Sequence, residues 1–465
     1  MGELLDVSMG WLDQWWDPEV GLLWNMEGSF DELAPARSLH LVPQSAWYAA
    51  GLLHRGDRGD EARAMQCIEA LLACQYVDVG EGTEWHGTFA RFLETPLPST
   101  SGAVMWIDFD PNWRQFIGTT FELLLQDGLI SDAALAARVR SSIELAVKSE
   151  PLDRVSPGYS NIALMRAWLE VEHGRPGAED YAAQVVARFD EHGAFEEYNS
   201  ATYYGIDLYA LALWRDRSSS AVLRSAGARI EAALWRDVSR WYHPGMRNLC
   251  GPWSRSYGMD MRTYASLLGV WMWPAVGRSA VPFPDTSKPF EHAHDLSHGP
   301  LADVLGPVVP DGVDLSHFAG EHLIEQRITS SRVATGWLSE RVMCGGEWGT
   351  LTASARGQFH PATAHWLLPD GDVGWIRLAH YAPARARASA GRLDIELSPS
   401  PKRGPVAPEL WVRAPDAWPV GRAWSLPGLD VEVSSGFEEA HGDGDVLKIR
   451  FPVGTPDLSL RLSAT

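Results

Sequence analysis

"GAFEEYNSATYYGIDLYALALW", residues 193–214, ends in an apolar run with helical spacing and begins with two adjacent acids, Glu196 and Glu197. Between them stand Tyr198, Asn199, Ser200, Thr202, Tyr203 and Tyr204, all with polar tips. The apolar spacing predicts a helix over 200–215. Asn199 or Ser200 can cap its first turn. Capping uses one such group, and here there are many. Glu197, the Tyr203/Tyr204 pair and Asp207 fall about one turn apart, so some of them share a face. A helix start this loaded is expected to form the floor of a cavity.

Working outward, residues 3 to about 275 follow a helical pattern. Segments 43–54, 58–76, 112–127, 132–149, 158–173, 178–189, 219–236 and 257–273 place apolar residues at i, i+3, i+4 and i+7. Plain short turns alternate with loops rich in Gly, Pro, aromatics and acids, the longest being 76–113. Helical hairpins set in a ring put every second loop on one face, where inner helices aim unpaired N–H groups at a shared cavity. The expected fold is therefore mainly α, an (α/α)5–6 toroid over 1–280. An open helical array would show a fixed-period repeat, and the sequence has none. Residues 281–320, rich in Pro, Gly and His, are expected to form a linker with room for one short helix. After about 320, short alternating runs of β-formers between turn residues predict an antiparallel β-sandwich over 321–465.

The chain has 465 residues and a formal net charge of −21, which argues against nucleic acid as a partner. Its 22 Trp are many, and Trp lines ligand cavities as well as cores. Cys67, Cys74, Cys250 and Cys344 lack metal-ligand spacing and are expected to be buried thiols. "MGELLDVSMGWLDQWW" has no basic start, so no signal peptide is expected, and no run of 18 apolar residues predicts a membrane span. A cytoplasmic enzyme acting on a small molecule or oligosaccharide fits these features; they do not decide the oligomeric state. Without a P-loop, a GxGxxG after a strand, a GxSxG or an HExxH, no cofactor is expected.

Four further constellations bear on chemistry. In 248–273, Arg255, Tyr257 and Asp260 lead into an apolar stretch beside Trp253, and partial burial makes their charges costly and therefore suggestive. In 105–118, Asp108 and Trp113 precede a helix, while Asp110 before Pro111 reads as a helix cap. In 84–91, His86 stands beside Trp85 and near Arg91. Asn161 is an amide at another helix start. His292, His294 and His298 have the look of a metal cluster, but their Pro/Gly surroundings favour an ordinary loop, and no metal is expected.

An aromatic-rich helical ring followed by a β-sandwich resembles the toroid-type polysaccharide lyases of the chondroitin AC/hyaluronate and heparinase II/III groups. "NWRQFIGTTFELLL" looks like their Asn-Trp helix start, "FEEYNSATYYG" stands where they carry a catalytic Tyr, and "SRSYGMDM" resembles their later Arg-bearing segment. Those lyases have a His shortly before the Tyr, where this chain has Glu196 and Glu197, so His86 would have to substitute. The resemblance implies β-elimination on a uronate. Tyr204 or Tyr203 would shuttle the proton, His86 would be the partner base, and Asn199, Asn161 and Arg255 would bind the carboxylate. Tyr257, Trp113, Asp108, Trp253 and Trp85 would contact substrate. Similar (α/α)6 glycoside hydrolases use paired acids, for which Glu197 and Asp260 are the best pair here. Linalool dehydratase-isomerase holds a terpenoid in such a ring, so dehydratase, isomerase or cyclase chemistry on a hydrophobic substrate is a further alternative. The plainest alternative is a carbohydrate-binding protein without catalysis.

Overall fold

A computed structural model describes residues 2–25, 39–77, 79–80, 82–349, 354–355, 357–415 and 419–465. Eleven α-helices are described: α1 (Glu3–Leu12), α2 (Val42–Arg55), α3 (Asp60–Ala73), α4 (Trp113–Gln126), α5 (Ala133–Lys148), α6 (Ser160–Glu172), α7 (Ala178–Asp190), α8 (Tyr203–Arg217), α9 (Ala221–Trp241), α10 (Leu267–Val276) and α11 (Gly299–Leu305). The periodic segments thus become helices within a few residues of their expected bounds. The exception is 257–273, where only its last part is helical. Before it, Arg262 folds back onto Asp260 at 3.0 Å and the Thr263 amide closes a turn on the Asp260 carbonyl.

Hairpins α2/α3, α4/α5, α6/α7 and α8/α9 are antiparallel neighbours joined by short turns. Their first members pack side by side in the order α2, α4, α6, α8; α8 then meets α10 and α11, and α11 returns to α2. α8 is buried without a break from Tyr204 to Trp214, as a helix apolar on every side must be. Its polar tips are tied to neighbours: the Tyr209 hydroxyl donates to Thr119 on α4 at 3.1 Å and the Trp214 indole to the Leu164 carbonyl on α6 at 2.9 Å. Gly205 lies where α8 meets the start of α10, and a Cβ there would come within 2.3 Å of the Leu267 backbone. Such close approach is why that turn carries no side chain.

From His322 onward the chain is a 13-stranded antiparallel sheet. The long strand Val373–Ser389 spans it, pairing with Ala362–Leu367 and Glu409–Arg413 in its first half and with Arg392–Leu397 in its second. Its register shifts between His380 and Pro383, where the Pro ring cannot donate to the ladder. The Ala/Arg-rich continuation of this strand and the strands Ala362–Leu367, Ala423–Leu426 and Glu439–Asp443 lie in stretches without a clean alternation of β-formers. Alanines there pack as alternating small residues on a buried face, where cross-strand pairing overrides propensity. The stretch 281–320, expected as a linker, contains a 3₁₀ turn, Ala293–His298, leading straight into α11, and both pack within the helical part.

The two parts touch through residues 251–256. Trp253 exchanges two backbone hydrogen bonds with His360, each 3.0 Å, and the Ser256 amide donates to the Gln358 carbonyl at 2.8 Å. Gly345 admits this segment, since a Cβ there would collide with the Gly251 carbonyl. Among the described residues, no helix is long and apolar enough to cross a membrane.

Candidate active site

The first turns of α2, α4, α6, α8 and α10 open onto one cavity of about 530 Å³. Gln44, Trp113 and Phe116, Asn161, Tyr203 and Leu267 line it from those turns. The loop between α3 and α4 adds Arg91, Glu94, Asp108, Asp110 and Asn112; the 3₁₀ turn adds His294, Asp295 and His298. The positive ends of these helix dipoles face this space together, which favours anionic groups in it.

Arg255 reaches the cavity from the loop before α10. Its guanidinium lies 4.1 Å over the Tyr203 ring and donates to Glu197 Oε1 at 3.0 Å and to Gln358 Oε1 at 3.0 Å. Burial works against its charge, but Tyr203, Glu197 and Tyr159 outweigh that and hold the guanidinium protonated. Glu197 is in turn gripped from α6. Its Oε2 accepts from Asn161 Nδ2 at 2.5 Å and Ser160 Oγ at 3.1 Å. Glu197 thus positions Arg255 and Asn161 and is itself outside the lining.

Tyr203 and Tyr257 face each other with hydroxyls 3.4 Å apart, and both line the cavity. Burial, with Tyr257 adding to it, drives the Tyr203 phenol well above its ordinary range, against the pull of Arg255. That phenol is a proton donor rather than a base at neutral pH. Asp110 is shifted in the same direction, with a different consequence. Burial pushes its carboxyl up to about 6, against the Asn112 amide and the charges of Arg154, Arg91 and Arg255. A carboxylate of that pKa is ionised at neutral pH and still basic enough to take a proton. The expected cap at Asp110 is displaced: α4 starts at Trp113, and Asp110 Oδ1 accepts from the Asn112 amide at 2.8 Å in a turn before it.

Tyr203, Arg255, Asn161, Tyr257, Trp113 and Asp108 are thus brought together on one cavity. The remaining candidates lie outside its lining. Tyr204 is buried, and its hydroxyl donates to Asp237 at 3.3 Å. Asn199, held at φ +50°, donates to the Cys250 and Pro252 carbonyls at 2.7 and 2.9 Å and so shapes the Arg255 loop. Asp260 is committed to Arg262. Trp253 is buried against the β part. Trp85 packs on Phe109 at 5.2 Å, and the neighbouring His86 is also off the lining. Sequence reasoning missed Tyr159, noticed Arg91 and Asn112 only as neighbours of other candidates, and set aside Asp110 and the histidine turn. A hint was available for Asp110, whose neighbours Trp106, Phe109 and Trp113 make a wet, solvated acid improbable.

Residues 2–307 match the family described as a domain of unknown function, DUF8769, and the chain belongs to that family. No curated protein matches the sequence. Among solved structures, heparinase III is similar at 9% identity and a TM-score of 0.40, covering 100% of this chain and 85% of that one. Endoglucanase CelQ from Clostridium thermocellum, complexed with cellotetraose, is similar at 10% identity and a TM-score of 0.25, covering 100% of this chain and 92% of that one. Overlaps this loose decide neither fold nor chemistry.

Proposed function

We propose that this protein is a carbohydrate-active lyase that cleaves a uronate-containing oligosaccharide by β-elimination. The helical part would be a toroid, with 1–280 extended by α11, and 321–465 a β-sandwich that braces the Arg255 loop. The observation that carries the reading is the Arg255 guanidinium, fixed by Glu197 against Tyr203 on a cavity that also holds Asp110. Elimination removes a proton next to a carboxylate and expels an oxygen from the neighbouring carbon. It needs a cation for the carboxylate, a base and an acid. Arg255, with the Asn161 amide beside it, suits the first role. Asp110, raised to about 6, suits the base. Tyr203, kept protonated by burial, suits the acid that meets the leaving oxygen. Tyr204 and His86, the expected shuttle and base, are not needed for these steps.

Hydrolysis is the second reading, favoured by the carboxyl groups of Glu94, Asp108, Asp110 and Asp295 on the same lining. It would use these rather than Glu197 and Asp260, both engaged by arginines. Purified protein is to be screened on uronate and neutral oligosaccharides, following the absorbance of an unsaturated uronate and new reducing ends in parallel. Both signals together are expected. New ends without absorbance would replace elimination with hydrolysis. Silence on every sugar would sink both and turn the Trp47, Trp113 and Phe116 wall toward a hydrophobic substrate.

A further inference from the structure

We infer that His292, His294 and Asp295 form a binding site for one divalent transition-metal ion of the zinc class on the cavity wall. One ligand atom from each lies within 4.8 Å of the others. His294 Nε2 and Asp295 Oδ1 are 3.5 Å apart. Two ligands of a tetrahedral zinc at about 2.0–2.2 Å each lie roughly 3.3–3.5 Å from one another. That pair is therefore already at ligating separation, with a His292 ring nitrogen within 4.8 Å of both.

The backbone makes this arrangement. His292 adopts a left-handed conformation, φ +53°, and the Ala293–His298 turn that follows is 3₁₀. With three residues per turn, positions 292 and 295 stand one above the other. Tyr257 stacks on the His292 imidazole at 4.1 Å and 10°, fixing the plane of the ring.

Two atoms of the cluster point to a cation. Asp295 is 7% exposed, yet its Oδ2 has no hydrogen-bond partner among the described residues, and neither has His292 Nδ1. Buried polar atoms are rarely left so, because each costs desolvation without return. A metal ion would satisfy both with the ligand type each offers.

The donor set, two imidazoles and one carboxylate, suits zinc, cobalt or manganese rather than calcium or magnesium. Three protein ligands leave one coordination position open, the pattern of a reactive rather than a structural site. His294 and Asp295 line the cavity, so the open position faces it. One carboxylate leaves a net positive charge on the ion, which would bind an oxygen of the substrate; that role rests on the elimination reading above.

The test uses tag-free, full-length protein stripped of metal. Zinc is titrated by calorimetry and cobalt by absorption. One equivalent is expected to bind, with ligand-field bands and no thiolate charge transfer, the four cysteines being buried elsewhere. His294→Gln and Asp295→Asn should each weaken binding by more than the ~10–100-fold typical of an outer partner. Circular dichroism checks their folding, and if Asp295→Asn unfolds, His294→Gln carries the test. Absence of stoichiometric binding, binding untouched by the variants, or a thiolate band overturns the site. Binding is read without turnover, so a failure here leaves the elimination reading standing, and an inactive protein that binds zinc leaves the metal site standing.

Discussion

Tyr203 and Tyr204 are neighbours in sequence, yet they belong to regions of opposite character. Tyr203 meets Tyr257, Arg255 and an open cavity. Tyr204 meets Tyr198, ring centroids 6.3 Å apart, with both hydroxyls on the Asp237 carboxylate and the Trp241 indole on Tyr198. Each region has two phenols and a nearby carboxyl group pushed up to about 6, Asp110 in the first and Asp237 in the second, chiefly by burial. A raised pKa therefore does not distinguish chemistry from architecture. What distinguishes them is access: the first set lines a space that can hold a reactant, and the second is filled by its own side chains.

The sharpest way to break this comparison is to disarm both regions in the same way. Tyr203→Phe and Asp110→Asn should each lower kcat/KM by about 10²–10⁴-fold, the usual worth of a proton-transferring group. Tyr204→Phe and Asp237→Asn should stay within a few-fold of wild type. Loss of turnover in Tyr204→Phe with Tyr203→Phe active would reverse the assignment. Next in size, Arg255→Ala should cost about 10²–10³-fold, with Glu197→Gln lower by roughly tenfold because it only releases Arg255. Equal activity of Arg255→Ala and wild type would remove the carboxylate role.

The pH profile sharpens the same contrast. If Asp110 is the base, wild-type kcat/KM rises as pH climbs through about 6 and its carboxyl ionises. A flat profile between pH 5 and 7 would exclude it. Asp237 should instead appear in stability. Its folded pKa of about 6 lies above the ordinary carboxylate value, so the folded state binds more protons between about pH 4 and 6. Stability therefore falls as pH rises through that window, by about 3 kcal/mol in all, and the loss persists above it. Asp110, raised by the same cause, contributes to the same slope, so in urea melts at pH 4 and 7 Asp237→Asn should reduce the slope rather than abolish it; an unchanged slope would refute the assignment. The smallest effect is expected for Tyr204→Phe in the same melts, about 1 kcal/mol for one buried hydrogen bond.

Much of this was legible before folding. The period of the apolar residues places most of the helices, because burying one stripe of a helix leaves a mark every three to four residues. Arg255 and the 193–214 segment stood out because charges and amides in apolar company are costly unless used. Less legible were the Ala/Arg strand after Pro383, which only its partners hold extended, and the histidine turn, whose loop-like composition hid its packing against α2 and α10.

By itself, then, the sequence determined a helical part followed by a β part and a polar-laden start to α8. Only the tertiary structure decided which of two adjacent tyrosines faces the cavity, that Glu197 holds Arg255 rather than standing free, and that residues far apart in sequence, Arg91 and His294, line one space. The physical reason is that periodicity records whether a side chain is buried, a local property of each helix. What it is buried against depends on how α8, α10 and the β part dock together, and no single segment carries that information.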